Sequence, residues 1–219
     1  MRNCPNHRVA GRAAILAIAA SLVGGCVRSR PDYAGPALLG PGEVAIVGRV
    51  ELVPPLQKSD QNIRAISPFY DFENTVYLLV DDKPRTFDKE PGMWDMQGHI
   101  ATRFGETFFK RLPARAHYIS LAMIFMQLGK YRPTEKVYLP GQLAIAVAPG
   151  DHAVYIGTIR YHRTPFFEVE RIEVVDEWER ARDEFVERFG DARRLRKGLA
   201  QVIAQPSRRG VALAPAHPW

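Results

Sequence analysis

The chain has 219 residues and a formal net charge of +6 at pH 7. Its basic excess lies at the two ends. Residues 1–25 contain three arginines and no acidic residue, and residues 191–219 have a net charge of +5, which leaves about −2 for residues 26–190. A nucleic-acid-binding domain carries its basic residues on a folded face, so this distribution of charge argues against nucleic acid as a partner.

Residues 1–25 have the pattern of a signal peptide. Arg2, Arg8 and Arg12 form a basic start, and an apolar run that only Ser21 interrupts extends from residue 13 to residue 23. A basic start, a short apolar centre and a small-residue end are typical of a segment that is removed after export. The run is shorter than the roughly 20 apolar residues that a membrane-spanning helix needs.

The motif Leu22-Val23-Gly24-Gly25-Cys26 resembles the lipobox of bacterial lipoprotein precursors. The resemblance implies cleavage between Gly25 and Cys26 and attachment of lipid to the thiol of Cys26, with three acyl chains that hold the protein on a membrane of the cell envelope. Val27, where an Asp would favour the inner membrane, favours the outer membrane facing the periplasm. An ordinary secretory signal followed by an unrelated cysteine is the alternative.

The chain after cleavage would be a single domain behind a tether. Cys4 would be removed and Cys26 would carry lipid, so neither a disulfide nor a free thiol would remain. The 194 residues that follow Gly25 suffice for one domain, which buries roughly 70% of its unfolded surface. Residues 26–42 are rich in proline and glycine, which predicts an irregular tether that could reach about 50 Å from the membrane.

Residues 43–190 predict an antiparallel β-sandwich that ends in a helix, so we expect a mainly β fold. Short runs with alternating or continuous apolar residues are separated by Pro and Gly, which is typical of a sandwich. The predicted strands are 43–52, 75–80, 107–112, 115–126, 136–139, 143–148, 153–161 and 167–175. The strand 115–126 is apolar on both faces, which predicts a central strand. Residues 85–105 predict a long loop that could contain one short helix.

One or two α-helices are expected at the C-terminal end of the sandwich. Asp176 and Glu179 have the spacing of a capping box, and Gly190 is placed to end the first helix. Four apolar residues at helical spacing predict a stripe packed on a sheet, namely Trp178, Ala181, Phe185 and Phe189. Residues 191–205 predict a basic amphipathic helix, and residues 206–219 predict a disordered tail.

The basic residues of this second predicted helix form a possible partner surface. They are Arg193, Arg194, Arg196 and Lys197. Beside an apolar face they would suit anionic lipid headgroups, at roughly 1 kcal/mol for each basic residue near a charged surface. A solvated helix without a partner explains the same pattern equally well.

A weaker resemblance concerns the hairpin that the sequence predicts around Pro149 and Gly150. The turn and the following Tyr155-Ile156-Gly157, together with the opening from Val47 to Pro55, are similar to uncharacterised envelope lipoproteins with carboxypeptidase-regulatory-like or prealbumin-like β-sandwiches. This resemblance implies a sandwich fold and carries no catalytic residue to this chain.

The sequence predicts no catalytic residue, no metal site and no cofactor. Its histidines lack the paired spacing of a helical zinc site, and an acidic segment at residues 81–95 matches no EF-hand. No serine lies in a nucleophile elbow. We therefore expect a non-catalytic binding or scaffolding module whose partners are the membrane, through Cys26, and another envelope protein. The alternative is a lipid-anchored hydrolase of cell-wall or surface glycans, which would need a cleft with converging carboxylates.

Overall fold

The computed structural model describes residues 29–57, 74–87, 98–127 and 134–206. These parts of the chain form two packed β-sheets followed by an α-helix, which confirms the predicted β-sandwich with a helix near the C-terminal end. The strands and the helix are β1 (Glu43–Val53), β2 (Thr75–Asp81), β3 (Ile100–Arg103), β4 (Thr107–Pro113), β5 (His117–Gln127), β6 (Thr134–Leu139), β7 (Gln142–Ile145), β8 (Ala153–Arg163), β9 (Val169–Val175), α1 (Trp178–Phe189), β10 (Leu195–Lys197) and β11 (Gln201–Ala204).

The first sheet has the order β10–β8–β1–β4, and β9 also pairs with β8. β8 runs parallel to β1 and to β10, whereas the pairs β1–β4 and β8–β9 are antiparallel. The second sheet has the order β11–β7–β5–β2–β3, with β6 beside β5, and its pairs are antiparallel. The two parallel pairs of the first sheet are a departure from the antiparallel pattern that the sequence predicts.

The strand β5 lies inside the second sheet and is buried on both faces over its described side chains, as its apolar sequence predicts. The register shifts at Ser120, because Leu79 pairs with Leu121 while Val80 pairs with Ile119. This β-bulge changes the faces, so that Ile119 joins the core between the sheets and Leu121 lies on the outer face. The side chains of this strand therefore do not alternate strictly between its two faces.

The main core lies between the two sheets and contains aliphatic residues of β1, β2, β5 and β8. A second apolar cluster covers the other face of the first sheet, where α1 packs on it. Ala181 and Phe185 are buried there, and Trp178 and Phe189 are half-buried at the edge of the cluster, so the predicted stripe does pack on a sheet.

The start of α1 differs from its prediction, and its end agrees. Glu177, not Asp176, is the N-cap residue, and no side chain caps the helix. The Asp176 carboxylate instead accepts a hydrogen bond from the backbone N–H of Trp178 at 3.1 Å. Gly190 ends the helix in the left-handed conformation, with φ of 81°, as predicted. Among the described residues, no helix combines the length and the hydropathy that crossing a membrane would require.

The predicted tether is corrected for residues 30–39, which pack on the sandwich. Asp32 forms a β-bridge with Lys110 on the outer edge of β4, and the backbone N–H of Tyr33 donates to the carbonyl oxygen of Phe109 at 2.9 Å. Tyr33 is buried, and its ring packs against the rings of Phe185 and Phe189. Proline and glycine prevent a regular element here, but they do not prevent the segment from packing.

The second predicted helix is also corrected, because residues 191–205 do not form it. Residues Ala192–Arg194 make one turn of 3₁₀ helix, and β10 and β11 follow. β10 pairs with β8, and Gly198 lies so close to Val154 that a Cβ atom there would be 2.9 Å from its Cγ1. Pairing with distant strands therefore overrides the helical spacing of the apolar residues in this segment. The strand β3 lies within the predicted loop 85–105.

Candidate functional site

A group of charged side chains crosses the outer face of the first sheet beside the first turns of α1. It is called the charged strip here, and it consists of Arg49, Glu51, Arg160, Glu173, Glu177 and Glu184. These residues come from β1, β8, β9 and the start and middle of α1. Strand pairing and helix packing bring them together from distant parts of the sequence.

Glu177, the N-cap residue of α1, makes three contacts with β8. Its carboxylate accepts hydrogen bonds from the hydroxyl of Thr158 at 2.8 Å and from the guanidinium of Arg160 at 3.0 Å. Its backbone N–H donates to the phenolic oxygen of Tyr155 at 2.9 Å. Arg160 also donates to Glu51 at 2.8 Å, and that hydrogen bond raises the pKa of the Arg160 guanidinium. These contacts fix the start of the helix on the sheet.

A β-bulge at Gly157 turns side chains of β8 towards the start of the helix. The pairing with β1 moves from Val47 and Tyr155 to Arg49 and Thr158, so β8 has one extra residue between them. Tyr155 and Thr158, three positions apart, therefore both contact Glu177. Gly157 has φ of 95°, and a Cβ atom there would lie 2.5 Å from Cγ1 of Val174. Only glycine fits this bulge without displacing its neighbours.

Arg49 is the most buried charge of the strip, with 3% of its surface exposed. Its guanidinium donates to the hydroxyl of Thr107 at 2.6 Å and to the carboxylate of Glu184 at 2.9 Å. Burial works against the charge of Glu184, but hydrogen bonds from Thr107 and Arg180 and the charge of Arg49 hold its pKa below the ordinary value. The surface beside Arg49 has only a shallow depression, which is too small to admit a water molecule.

Two carboxylates of the strip, those of Glu173 and Glu184, have a pKa below the ordinary value. His162 Nε2 lies 2.8 Å from Glu173 Oε1, and this hydrogen bond, together with the nearby charge of Arg171, lowers the pKa of Glu173. A general acid needs the opposite shift, a pKa raised towards neutrality. The geometry of the strip is therefore that of an ionic clamp between α1 and the sheet.

The histidines and the described residues of the acidic segment do not converge. His99 and His117 are buried, His152 is exposed and His162 belongs to the edge of the strip. Asp82 pairs with Arg115 on the surface. Within the described ranges, no group of three or more His, Cys, Asp or Glu residues could hold a metal ion. Three members of the acidic segment, Asp88, Glu90 and Asp95, lie outside the described residues.

The four residues of the possible partner surface do not share one face. Arg193, Arg194 and Lys197 are exposed, whereas Arg196 is half-buried and forms a bidentate ion pair with Asp151, with two N–O distances of 2.6 Å. The hydrogen bonds from Arg196 lower the pKa of Asp151. Arg196 is thus a structural residue, because it ties β10 to the turn before β8.

The predicted lipidation and cleavage residues, Cys26 and Gly25, lie outside the described residues. The structure does describe the chain that follows them, from residue 29. Arg30 donates from its backbone N–H to the carbonyl oxygen of His99 and from Nε to that of Gly98, each at 2.7 Å. The polypeptide is therefore fixed to the domain from Arg30 onwards.

Sequence reasoning missed the turn between β8 and β9, residues 164–167, which is called the β8–β9 turn here. Phe166, at its tip, is 87% exposed and is the most exposed large apolar side chain among the described residues. The signal was present in the sequence, because two consecutive aromatic residues follow Thr164 and Pro165 at a position where polar turn residues are usual.

The β8–β9 turn is tightly hydrogen-bonded around Thr164. Its backbone N–H donates to Glu168 O at 2.9 Å, and its hydroxyl accepts from the backbone N–H groups of Phe166 and Glu168 at 3.2 and 3.3 Å. Arg163 lies below the turn with its guanidinium 4.0 Å from the ring centroid of Phe167. Arg163 also donates to the carbonyl oxygens of Pro54 and Pro55, each at 3.1 Å, so the base of the turn is joined to the end of β1.

Comparisons of the chain with protein-family models, with curated proteins and with solved structures found no match.

Proposed function

We propose that the protein is a lipid-anchored cell-envelope protein that works as a non-catalytic binding or scaffolding module for another envelope component. Its anchor is the lipidated Cys26, and its location is the outer membrane facing the periplasm. The observation that carries the proposal is the attachment of residues 30–33 to one end of the sandwich, directly after the lipobox-like motif.

The attachment supports a domain held close to its membrane. Arg30 is fixed to His99 and Gly98, and the bridge between Asp32 and Lys110 continues the attachment along β4. Three residues separate Cys26 from Arg30, so four steps join their Cα atoms, and a fully extended chain covers at most about 3.5 Å per step. The lipid and the domain are therefore at most about 14 Å apart, instead of the 50 Å that a free tether would allow.

The charged strip favours binding over hydrolysis. A glycoside hydrolase needs one carboxylic acid that stays protonated to donate to the leaving group. The pKa of Glu173 is lowered mainly by its hydrogen bond with His162, and that of Glu184 is lowered by Thr107, Arg180 and Arg49. Glu173 also joins β9 to β8 through His162, and Glu184 joins α1 to β1 through Arg49, which suits a rigid platform.

Metabolic labelling with a fatty acid tests the anchor. Cys26→Ser should abolish labelling, because a hydroxyl cannot form the thioether, and the precursor should stay uncleaved. Cys4→Ser is the matched control, since Cys4 lies in the segment that would be removed, and it should label like the wild type. Equal labelling of the Cys26→Ser variant would overturn the lipoprotein assignment.

Incubation of the purified domain with isolated cell-wall sacculi tests the second half of the proposal. A binding module should release no soluble glycan fragment. Release that Glu173→Gln or Glu184→Gln abolishes, with the fold retained, would instead establish the hydrolase.

A further inference from the structure

The β8–β9 turn holds the side chain of Phe166 in solvent, whereas the neighbouring Phe167 is half-buried. Phe167 stacks under Arg163, and the Thr164 hydroxyl holds the backbone on both sides of the tip. Phe166 itself is 87% exposed. The exposure therefore belongs to a hydrogen-bonded turn, whose backbone contacts place Phe166 at the tip.

The backbone of the turn is strained to reach this conformation. Phe167 has φ of 64°, and a bulky residue without glycine's freedom rarely adopts a positive φ. Such strain persists only where the surrounding contacts impose it, and it is concentrated at sites that serve a function. Here the hydrogen bonds of a three-residue hairpin loop impose it, from the Phe167 N–H to the Thr164 carbonyl oxygen at 3.1 Å and from the Thr164 N–H to the Glu168 carbonyl oxygen at 2.9 Å.

The turn lies at the end of the sandwich that is remote from the N-terminal attachment. Arg163 contacts the residues that follow the last residue of β1, whereas Pro31 accepts a hydrogen bond from Arg111, which pairs with Ala45 near the first residue of β1. β1 has eleven residues, so about 33 Å separates its two ends. A domain held by Cys26 would therefore carry the turn on the side that is free to meet another molecule.

We propose that the β8–β9 turn is the docking point for a protein partner whose apolar pocket receives the Phe166 ring and whose rim is basic. Aromatic side chains that fill a pocket dominate many protein interfaces. Glu168 and Glu170, two and four positions after Phe166, are exposed and acidic, which calls for basic groups on the partner. The same carboxylates disfavour anionic lipid headgroups as the occupant. This inference rests on the proposed function for the compartment in which the partner is found and for the direction in which the turn faces.

Photo-crosslinking in cells tests the contact. Benzoylphenylalanine replaces Phe166 in one variant and Leu38 in a control, because Leu38 is also exposed, at 59%, and lies in the N-terminal segment. A discrete protein adduct is expected from position 166 and not from position 38. An adduct with lipid alone, no adduct, or the same adduct from both positions would overturn the proposal. Repeating the experiment with Cys26→Ser separates the two proposals, since the adduct reports docking and the fatty-acid label reports the anchor.

Affinity measurements with the purified partner, once its crosslink has identified it, then test which side chains of the turn carry the binding. Phe166→Ala should weaken binding by about 30-fold or more, which is the size of an interface hot spot, and Phe166→Leu should recover part of it. Glu168→Lys should also weaken binding, and more so at low salt. Val186→Ala, on the exposed side of α1, should leave the affinity unchanged, and none of the variants should shift the melting temperature. Wild-type affinity for Phe166→Ala would refute the docking point.

Discussion

The side-chain amide of Gln205 pairs with the backbone of Ile172 as a neighbouring strand would. Its Nε2 donates to the carbonyl oxygen of Ile172, and its Oε1 accepts from the N–H of Ile172, each at 2.9 Å. Gln205 follows β11 in the second sheet, and Ile172 lies in β9 of the first sheet. This one side chain therefore joins the two sheets at their C-terminal corner.

Gln205→Ala should lower the free energy of unfolding by about 1–2 kcal/mol, because it leaves both backbone groups of a buried residue without their partner. Gln205→Glu should be intermediate at neutral pH, since the carboxylate can accept from the N–H but cannot donate to the carbonyl oxygen. Gln201→Ala, at an exposed position of β11, is the control and should change stability by less than about 0.5 kcal/mol. Urea denaturation checks all three; equal effects of Gln205→Ala and Gln201→Ala would contradict the pairing.

Phe185 should be far more important for folding than its neighbour Val186. Phe185 is fully buried between Tyr33, Phe109 and Phe189, whereas Val186 is 37% exposed. Phe185→Ala is expected to cost about 3–5 kcal/mol, and Val186→Ala less than about 1 kcal/mol.

A double-mutant cycle with Tyr33→Ala should give a coupling of about 1 kcal/mol between Tyr33 and Phe185, because their stacked rings lie 6.1 Å apart. Thermal unfolding and chemical denaturation measure these differences. A coupling of zero would mean that residues 30–33 leave the domain in solution.

Two glycines with positive φ should respond differently to the same substitution. Gly150 has φ of 86°, and the space around it is open. Gly150→Ala should therefore cost only about 1 kcal/mol of backbone strain. Gly157→Ala should cost about 2 kcal/mol or more, since its Cβ atom would also collide with Val174. Melting temperatures of both variants check the ranking, and a smaller effect at Gly157 would show that the bulge can relax.

His117 should make the domain less stable as the pH falls below neutrality. Burial lowers its pKa from the ordinary 6.5, outweighing the hydrogen bond between Nε2 and the carbonyl oxygen of Pro113, 2.8 Å away, and the nearby charge of Asp82. The unfolded chain then binds a proton at a higher pH than the folded chain. The contribution of His117 to the free energy of unfolding is fully present above about pH 6.5. It is lost as the pH falls towards the pKa of the folded state, by about 1.4 kcal/mol for each unit by which folding lowers the pKa.

Unfolding free energies of the wild type and of His117→Gln, measured at several pH values between 7.5 and 5, test this dependence. The variant should lose less stability on acidification, since it has no group to titrate at this position. His152→Gln removes an exposed histidine and should keep the wild-type pH dependence. Identical pH profiles for His117→Gln and the wild type would show that His117 is protonated equally in both states.

Local patterns predicted the elements whose form depends on neighbouring residues. The apolar run of β5 and the stop signal at Gly190 are of this kind, because continuous burial and a left-handed cap are written in consecutive residues. The prediction of a second helix was wrong because Leu195 is buried by a parallel pairing with Ala153, and no local sequence pattern indicates that pairing. The prediction of a free tether was wrong for the same reason, since Tyr33 packs on Phe185, which is distant in the sequence.

The charged strip could not be predicted for a related reason. Arg49 and Glu184 look like ordinary surface charges in the sequence, and only the packing of α1 on β1 brings them within 2.9 Å. By contrast, the exposed Phe166 could have been noticed, because an apolar residue in a turn is locally unusual.

The parallel pairing of β1 with β8 sets the order in which the fold can be completed. Ala45 pairs with Ala153, so about half of the chain separates two strands that must lie side by side. Closing so large a loop is slow, which places this domain among proteins that fold in milliseconds to seconds. Until β8 has been released from the ribosome or from an export channel, the first strand has an open edge, and a chaperone that holds such edges would protect it from aggregation.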